Sequence, residues 1–326
     1  MSSIARLRNF MLFILSIFFG FIFIVPVYGF EVRNLLYEVD VPCTQSGLEE
    51  NSIFPGLIEK VNKFENEIEF VDRKKTPVYD SIGVVISTGE HGKYGTGFLF
   101  ASPCYVLTNF HVAFGERFYR KFVLEEKNVD MTDKTLAKER VVFKVGVTSD
   151  PNKFRDQVDA TAVVWGNFVT SKKTEDDWAV LKLDKCLDRY ELLPIPNTDP
   201  EGIGQAIDRG ARQAVLGYYS DISTTQLYGA FNCKKFVKAP GELFLRTDCS
   251  TSHGVSGGPF VLIKDGKPFV VAINSGTAIT KDGVVADENF GVFNSNRVVP
   301  MYHILPKLKE YFTANPPVQS QASGKK

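Results

Sequence analysis

Ser256 is the residue whose surroundings most invite chemistry. It stands in Asp248-Cys-Ser-Thr-Ser-His-Gly-Val-Ser-Gly-Gly-Pro-Phe260, with glycines close on both sides and an apolar strand, Pro259 to Ile263, after it. A serine hydroxyl is a weak nucleophile until a base takes its proton and donors stabilise the oxyanion that forms. Gly254 and Gly257 let the backbone fold sharply, so the N–H groups of Gly254 and Ser256 could face one spot as an oxyanion hole. The same residues also read as a glycine-rich turn between two strands. The motif alone leaves both readings open.

The order of possible partners narrows them. Gly254, Ser256 and Gly258 fit Gly-x-Ser-x-Gly, the nucleophile elbow of α/β-hydrolases, which expects its acid and histidine downstream. The chain has four histidines, at 91, 111, 253 and 303, and only His303 follows Ser256. Little chain remains after Ser256 for the strands and helices that fold needs. Upstream lie Leu107-Thr-Asn-Phe-His111-Val, where a histidine closes an apolar strand, and Asp176-Asp177-Trp-Ala-Val-Leu-Lys-Leu183, where an aspartate opens another. Histidine, then aspartate, then serine is the order of the β-barrel proteases. Asp176 competes with Asp177 for the middle place.

Gly95-Thr-Gly-Phe-Leu-Phe, Thr108-Asn-Phe-His111, Asp177-x-Ala-Val-Leu and Gly254-x-Ser256-Gly-Gly-Pro, in that order, resemble the chymotrypsin-fold serine proteases. Within these the resemblance is to the bacterial branch of glutamyl endopeptidases and HtrA-type enzymes. The run from Asp72-Arg73 through Pro77 to Ile82-Gly83 resembles the start of a glutamyl endopeptidase catalytic domain. The similarity covers roughly residues 70–312. It implies an all-β fold of two six-stranded antiparallel β-barrels with a C-terminal helix, and hydrolysis of peptide bonds through His111, Asp177 and Ser256. It implies no metal or organic cofactor.

The resemblance also implies a substrate site. Ser250, Thr251 and His253 fall where such enzymes line the primary specificity pocket, which here would be polar and uncharged. Thr251 agrees with glutamyl specificity, but Asn274 stands where those enzymes carry a histidine. Ser275 matches the serine whose hydroxyl supports the buried aspartate. The strand edge Ser275, Gly276 and Thr277 would pair with the substrate backbone as an added strand.

Length, composition and charge bound the rest. The chain has 326 residues, 44% of them hydrophobic, enough for a large core in one two-lobed unit or two small domains. Its 38 basic and 38 acidic residues cancel, which gives no ground for a nucleic-acid or anionic-membrane partner. Residues 1–29 read as a targeting segment: Arg6 and Arg8 precede an uncharged apolar run from Phe10 to Val27, with small residues at the cleavage positions. Cleavage after Gly29 and retention as an anchor are the two outcomes, and only the second makes the membrane a partner. Either way the bulk of a monomeric, secreted or periplasmic protein leaves the cytoplasm, to act on peptide or protein substrates.

Residues 30–75 fit no barrel pattern, and Leu57, Ile58, Val61, Phe64 and Ile68 recur at near-helical spacing. This segment is either a prosegment that shields the site or an N-terminal arm packed on the barrel. Strand-like runs place the first barrel in residues 76–195, with Leu124–Arg140 as a charged surface insertion. Three prolines between Leu193 and Pro200 mark an extended linker. The second barrel and an amphipathic helix from Met301 to Phe312 occupy residues 196–312, and residues 313–326 form a polar tail. Asp265-Gly266 and Asp282-Gly283 are hairpin signals.

Five cysteines stand at 43, 104, 186, 233 and 249, without the spacing of a zinc site. Export permits disulfides. A Cys233–Cys249 bridge resembles the glutamyl endopeptidase pattern. Cys104 and Cys186 would meet if the histidine and aspartate strands are antiparallel neighbours.

Overall fold

The β-branched and aromatic runs of the sequence become strands that pair only in antiparallel fashion among the described residues. The structure is a computed structural model. It describes residues 68–87, 94–118, 140–148, 150, 153–168, 174–220, 222–233, 236–238, 241–277 and 296–316. The targeting segment, residues 30–67, Cys43, most of the 124–140 insertion and the Asp282-Gly283 turn lie outside these.

The edge strand β1 (Ile68–Phe70) precedes six strands that form a closed barrel: β2 (Ile82–Ser87), β3 (Tyr94–Phe100), β4 (Ser102–Thr108), β5 (Val141–Val147), β6 (Phe154–Trp165) and β7 (Ala179–Leu183). Their order round the barrel is β2-β3-β4-β7-β6-β5. The two-residue period of a strand explains how the barrel serves two cores. On β4, Val106 joins Leu99, Phe143 and Leu181 in one core cluster. Its neighbours Tyr105 and Leu107 join residues of the second sheet and the C-terminal helix, including Leu216, Val261, Ile273 and Ile304.

The second half comprises β8 (Arg212–Gly217), β9 (Tyr228–Cys233), β10 (Phe236–Val237), β11 (Leu245–Thr247), β12 (Pro259–Lys264), β13 (Lys267–Thr277) and β14 (Asn296–Pro300). With β1 they form an eight-stranded sheet in the order β1-β9-β8-β12-β13-β14-β11-β10. A closed barrel followed by this half-barrel sheet, with few helices, is a chymotrypsin-like fold. The Asp265-Gly266 hairpin is present, and both residues adopt positive φ, 51° and 74°. That geometry suits the tight turn between β12 and β13.

Both disulfides form: Cys104–Cys186 and Cys233–Cys249. β4 and β7 are indeed antiparallel neighbours, so the first bridge ties β4 to the chain leaving β7. The second joins β9 to Cys249, two residues past β11, and these strands lie near opposite ends of the open sheet. It curls the sheet where hydrogen bonding does not close it. The 16-position loop is worth about 3 kcal/mol and the 82-position loop about 4.5 kcal/mol of chain entropy.

Several elements differ from the sequence reading. The histidine does not end a strand: β4 stops at Thr108, and α1 (Phe110–Phe118) begins at once, with a non-helical Gly115 inside it. After the linker comes a short helix, α2 (Pro200–Asp208). Asp199 caps it by accepting from Gly202 N, with Pro200 in the first turn. The last strand lies at Asn296–Pro300. α3 (Met301–Ala314) continues through Pro306 and two residues beyond Phe312, burying Met301, Ile304 and Leu308. Thr313 Oγ1 and Asn315 Nδ2 donate to carbonyls four residues back, which extends the helical end into the expected tail. Residues 68–70 of the arm are built into the sheet, where β1 pairs with β9.

Candidate active site

The loop before β7 positions the aspartate. A short 3-10 turn, Thr174–Asp176, is closed by Asp177 N donating to Thr174 O at 3.0 Å. The fully buried Trp178 anchors the loop in the core. Asp177 is 2% exposed. A carboxylate so buried needs donors, and it has three. The backbone N of His111 donates to Oδ1 at 3.1 Å, while His111 Nδ1 and Ser275 Oγ reach Oδ2 at 2.8 Å and 2.5 Å. Asn109 Nδ2 binds the Asp177 carbonyl at 2.7 Å, fixing the turn that delivers His111 to the start of α1. With Nδ1 donating to Asp177, the lone pair of His111 rests on Nε2. Asp176 faces elsewhere, its Oδ1 taking Lys307 Nζ at 2.9 Å, with His303 Nε2 at 3.8 Å.

The serine loop is locked against the same region. Thr96, on β3, holds it twice: its N–H donates to Ser256 O at 2.8 Å and its hydroxyl to Gly254 O at 2.6 Å. A Cβ on Gly257 (φ +83°) would collide with Thr96 O and Thr108 Oγ1, and would lie 3.0 Å from Asn109 N. A Cβ on Gly95 would lie 2.6 Å from the side chain of Val112 and 3.0 Å from Ser256 O. Only glycine allows these approaches. They bring the chain around Ser256 against the residues on either side of His111.

Peptide planes fix the two proposed oxyanion donors. The His253 carbonyl accepts from Ser220 N at 2.9 Å, and the Val255 carbonyl from Gly258 N at 2.9 Å. In a trans peptide the N–H points opposite to the C=O. The Gly254 and Ser256 N–H groups are therefore turned away from those bonds, and no described residue accepts from either.

The proposed pocket residues surround this loop. Ser250 lies partly buried, with its carbonyl taking the Tyr219 hydroxyl at 2.8 Å. Asn274 is buried on β13, exchanging backbone hydrogen bonds with Gly257 and Gly258. Ser250 Oγ and Asn274 Oδ1 are both buried without a hydrogen-bond partner. Thr251 is partly buried, whereas His253 is exposed. Ser275 and Gly276 are partly buried on β13, which also includes Thr277. The alternative base, His303, sits on α3 beside Lys307 Nζ, 3.1 Å away, and burial and that ammonium push its pKa down.

Sequence reasoning gave no role to Thr96, Asn109 or Ser220. Thr96 lay within the Gly95-Thr-Gly motif, but its bonds cross 158 positions to Gly254. Ser220 carries no sequence signal at all, because it acts through its backbone N–H.

A family profile described as trypsin-like peptidase domain matches residues 95–273. The chain therefore belongs to the trypsin-like peptidases. It is a serine endopeptidase, a hydrolase of peptide or protein substrates. No protein of curated function matches it by sequence. Among solved structures, a Glu endopeptidase in complex with MPD shares 13% identity, covers 76% of this chain and 96% of its own, and has a TM-score of 0.48. A thermostable serine protease from an extremophilic microorganism shares 15% over 72% and 98%, with a TM-score of 0.49. An HtrA-type protease with a tripeptide shares 17% over 72% and 61%, with a TM-score of 0.43.

Proposed function

We propose that His111, Asp177 and Ser256 form the catalytic triad of an exported endopeptidase that works through an acyl-enzyme. The observation that carries this reading is the carboxylate of Asp177, buried and bound to the Nδ1 side of His111. It orients the imidazole so that Nε2 can take the Ser256 proton as the hydroxyl attacks a peptide carbonyl. It also stabilises the imidazolium that results. The imidazolium then gives its proton to the leaving amine, and a water molecule, activated in the same way, releases the acyl group. Gly254 and Ser256 N–H groups hold the oxyanion.

The substrate reading follows from the edge of β13. β12 pairs with it only as far as Pro259 opposite Ile273, while β14 covers the other side through Thr277. Ser275 to Thr277 therefore have an edge to which a peptide strand can add. The unpartnered Ser250 Oγ and Asn274 Oδ1 favour a polar side chain in the primary pocket. Two disulfides fit an oxidising compartment, secreted or periplasmic, reached through residues 1–29. Residues 76–195 and 196–312 act as the two lobes of a monomer. Residues 30–67 are the segment whose removal could activate a zymogen.

The test is labelling of Ser256 by a fluorophosphonate, before and after trimming the chain ahead of residue 68, with Ser256→Ala as the control. Labelling that Ser256→Ala and His111→Ala abolish supports the triad. No labelling in either form would leave a non-catalytic binding module on a protease scaffold.

A further inference from the structure

Gly276 lies directly opposite Arg297 on β14, and Arg297 lies opposite Arg246 on β11. Residues facing one another across antiparallel strands share a face of the sheet, so the three form a row. Phe244 lies beneath both guanidinium groups, its ring centre 5.1 Å from Arg246 Cζ and 5.3 Å from Arg297 Cζ. Arg246 binds the Glu242 carboxylate: its Nε donates to Glu242 Oε2 at 2.8 Å, and its Nη2 contacts Oε1. Arg297 has no carboxylate of a described residue within ion-pair distance. Its Nη1 donates to the Thr174 hydroxyl at 3.1 Å, and its Nε is buried without a partner. Burial and the neighbouring Arg246 cation lower its pKa, and the Glu242 carboxylate, which is bound to Arg246, offsets this only in part.

The position of that charge gives it a use. Thr174 lies three residues before Asp177, and Gly276 follows Ser275, whose hydroxyl binds Asp177. Arg297 thus stands beside the proposed substrate edge, on the side of the aspartate loop. A β-bulge between Asn274 and Gly276 breaks the ladder here, and Gly276 adopts φ 127°, which disfavours any side chain. A Cβ at Gly276 would meet no described atom within 4 Å. A residue other than glycine at 276 would put a side chain on the strand position opposite Arg297.

We propose that Arg297 is a specificity residue that selects peptides carrying an acidic side chain two to four residues upstream of the cleaved bond. The direction follows from the strand geometry. Asn274 bonds Gly257, next to Ser256, so a peptide added antiparallel to β13 enters at Thr277 and passes Ser275 to reach Ser256. Its upstream residues therefore cross Gly276 and Arg297. A carboxylate there supplies a direct ion-pair partner that no described residue gives Arg297, and a lysine meets repulsion. This inference rests on the protease reading, and it is separate from the primary pocket formed around Ser250 and Asn274.

The test uses the full chain, or its trimmed form if trimming is what permits labelling. It measures kcat/KM on peptides with Glu, Gln or Lys at each of the second to fourth upstream positions. The expected result is a Glu-over-Lys preference of about tenfold at one of them, weakened by salt. Arg297→Met should bring that ratio to about one, and Arg297→Glu should reverse it. Cleavage with no charge preference at these positions, or a preference that survives Arg297→Met, overturns the assignment while leaving the protease intact. The wild-type series decides even if a variant fails to fold. Absence of both labelling and cleavage overturns the protease reading, and this inference with it.

Discussion

Two aspartates adjacent in sequence each face a histidine, and the two pairs have opposite characters. Asp177 meets His111 through Nδ1 at 2.8 Å and draws its other donors from a backbone N–H and a serine hydroxyl. Among the described residues no Lys or Arg competes for that carboxylate, so its negative charge is available to an imidazolium. Asp176 meets His303 through Nε2 at 3.8 Å, and its nearer partner is the Lys307 ammonium at 2.9 Å. There the charge is already compensated, and Lys307 opposes protonation of the imidazole. A carboxylate otherwise bound by neutral donors keeps its charge for an imidazolium, whereas one paired with an ammonium does not. The residues on either side of the first pair's histidine pack against the serine loop. The second fastens α3 to the aspartate loop.

The sharpest way to break this comparison is to remove each imidazole. His111→Ala should lower kcat on a peptide substrate by about a millionfold, and His303→Ala by less than about tenfold. Similar losses from both would end the distinction. The carboxylates come next. Asp177→Asn should cost about ten-thousandfold in kcat, because an amide no longer holds the reactive tautomer, whereas Asp176→Asn should cost less than about tenfold.

The smallest effect concerns the second pair alone. Lys307→Met removes the ammonium, so the His303 pKa should rise, as followed by NMR titration of its ring protons. Stability provides the matching readout. His303 is held below the ordinary 6.5 by burial and Lys307, with Asp176 and Glu175 acting in the opposite sense. Near and just below 6.5 the unfolded chain therefore binds more protons than the folded one. The stability contributed by neutral His303 is present above 6.5 and is lost as pH falls towards the lowered folded value. His303→Gln should flatten that part of the urea-denaturation profile against pH. An unchanged profile would mean that His303 titrates as a solvated imidazole.

Much of the architecture was legible because strands advertise themselves locally. The β-branched runs at Ile82–Ser87 and Pro259–Lys264, and the Asp265-Gly266 turn, carry their conformation in their own side chains. The stripe of α3 was equally plain. α1 was not, since it follows β4 after a single residue and its nine residues include a non-helical Gly115. α2 was hidden by the prolines before it, although Asp199-Pro200 is a capping signal.

The sequence by itself determined the chemistry available: one serine among glycines, a histidine and an aspartate in a telling order, and cysteines able to pair. It left two candidates for the acid and two for the base, because adjacent or merely downstream residues look alike on paper. The tertiary structure alone decided which carboxylate is buried against His111 and which is neutralised by a lysine 131 positions away. Neither hydrogen-bond geometry nor desolvation exists until distant segments pack. The same is true of Arg297, an ordinary arginine in the chain, which packing places beside a glycine with no carboxylate of its own.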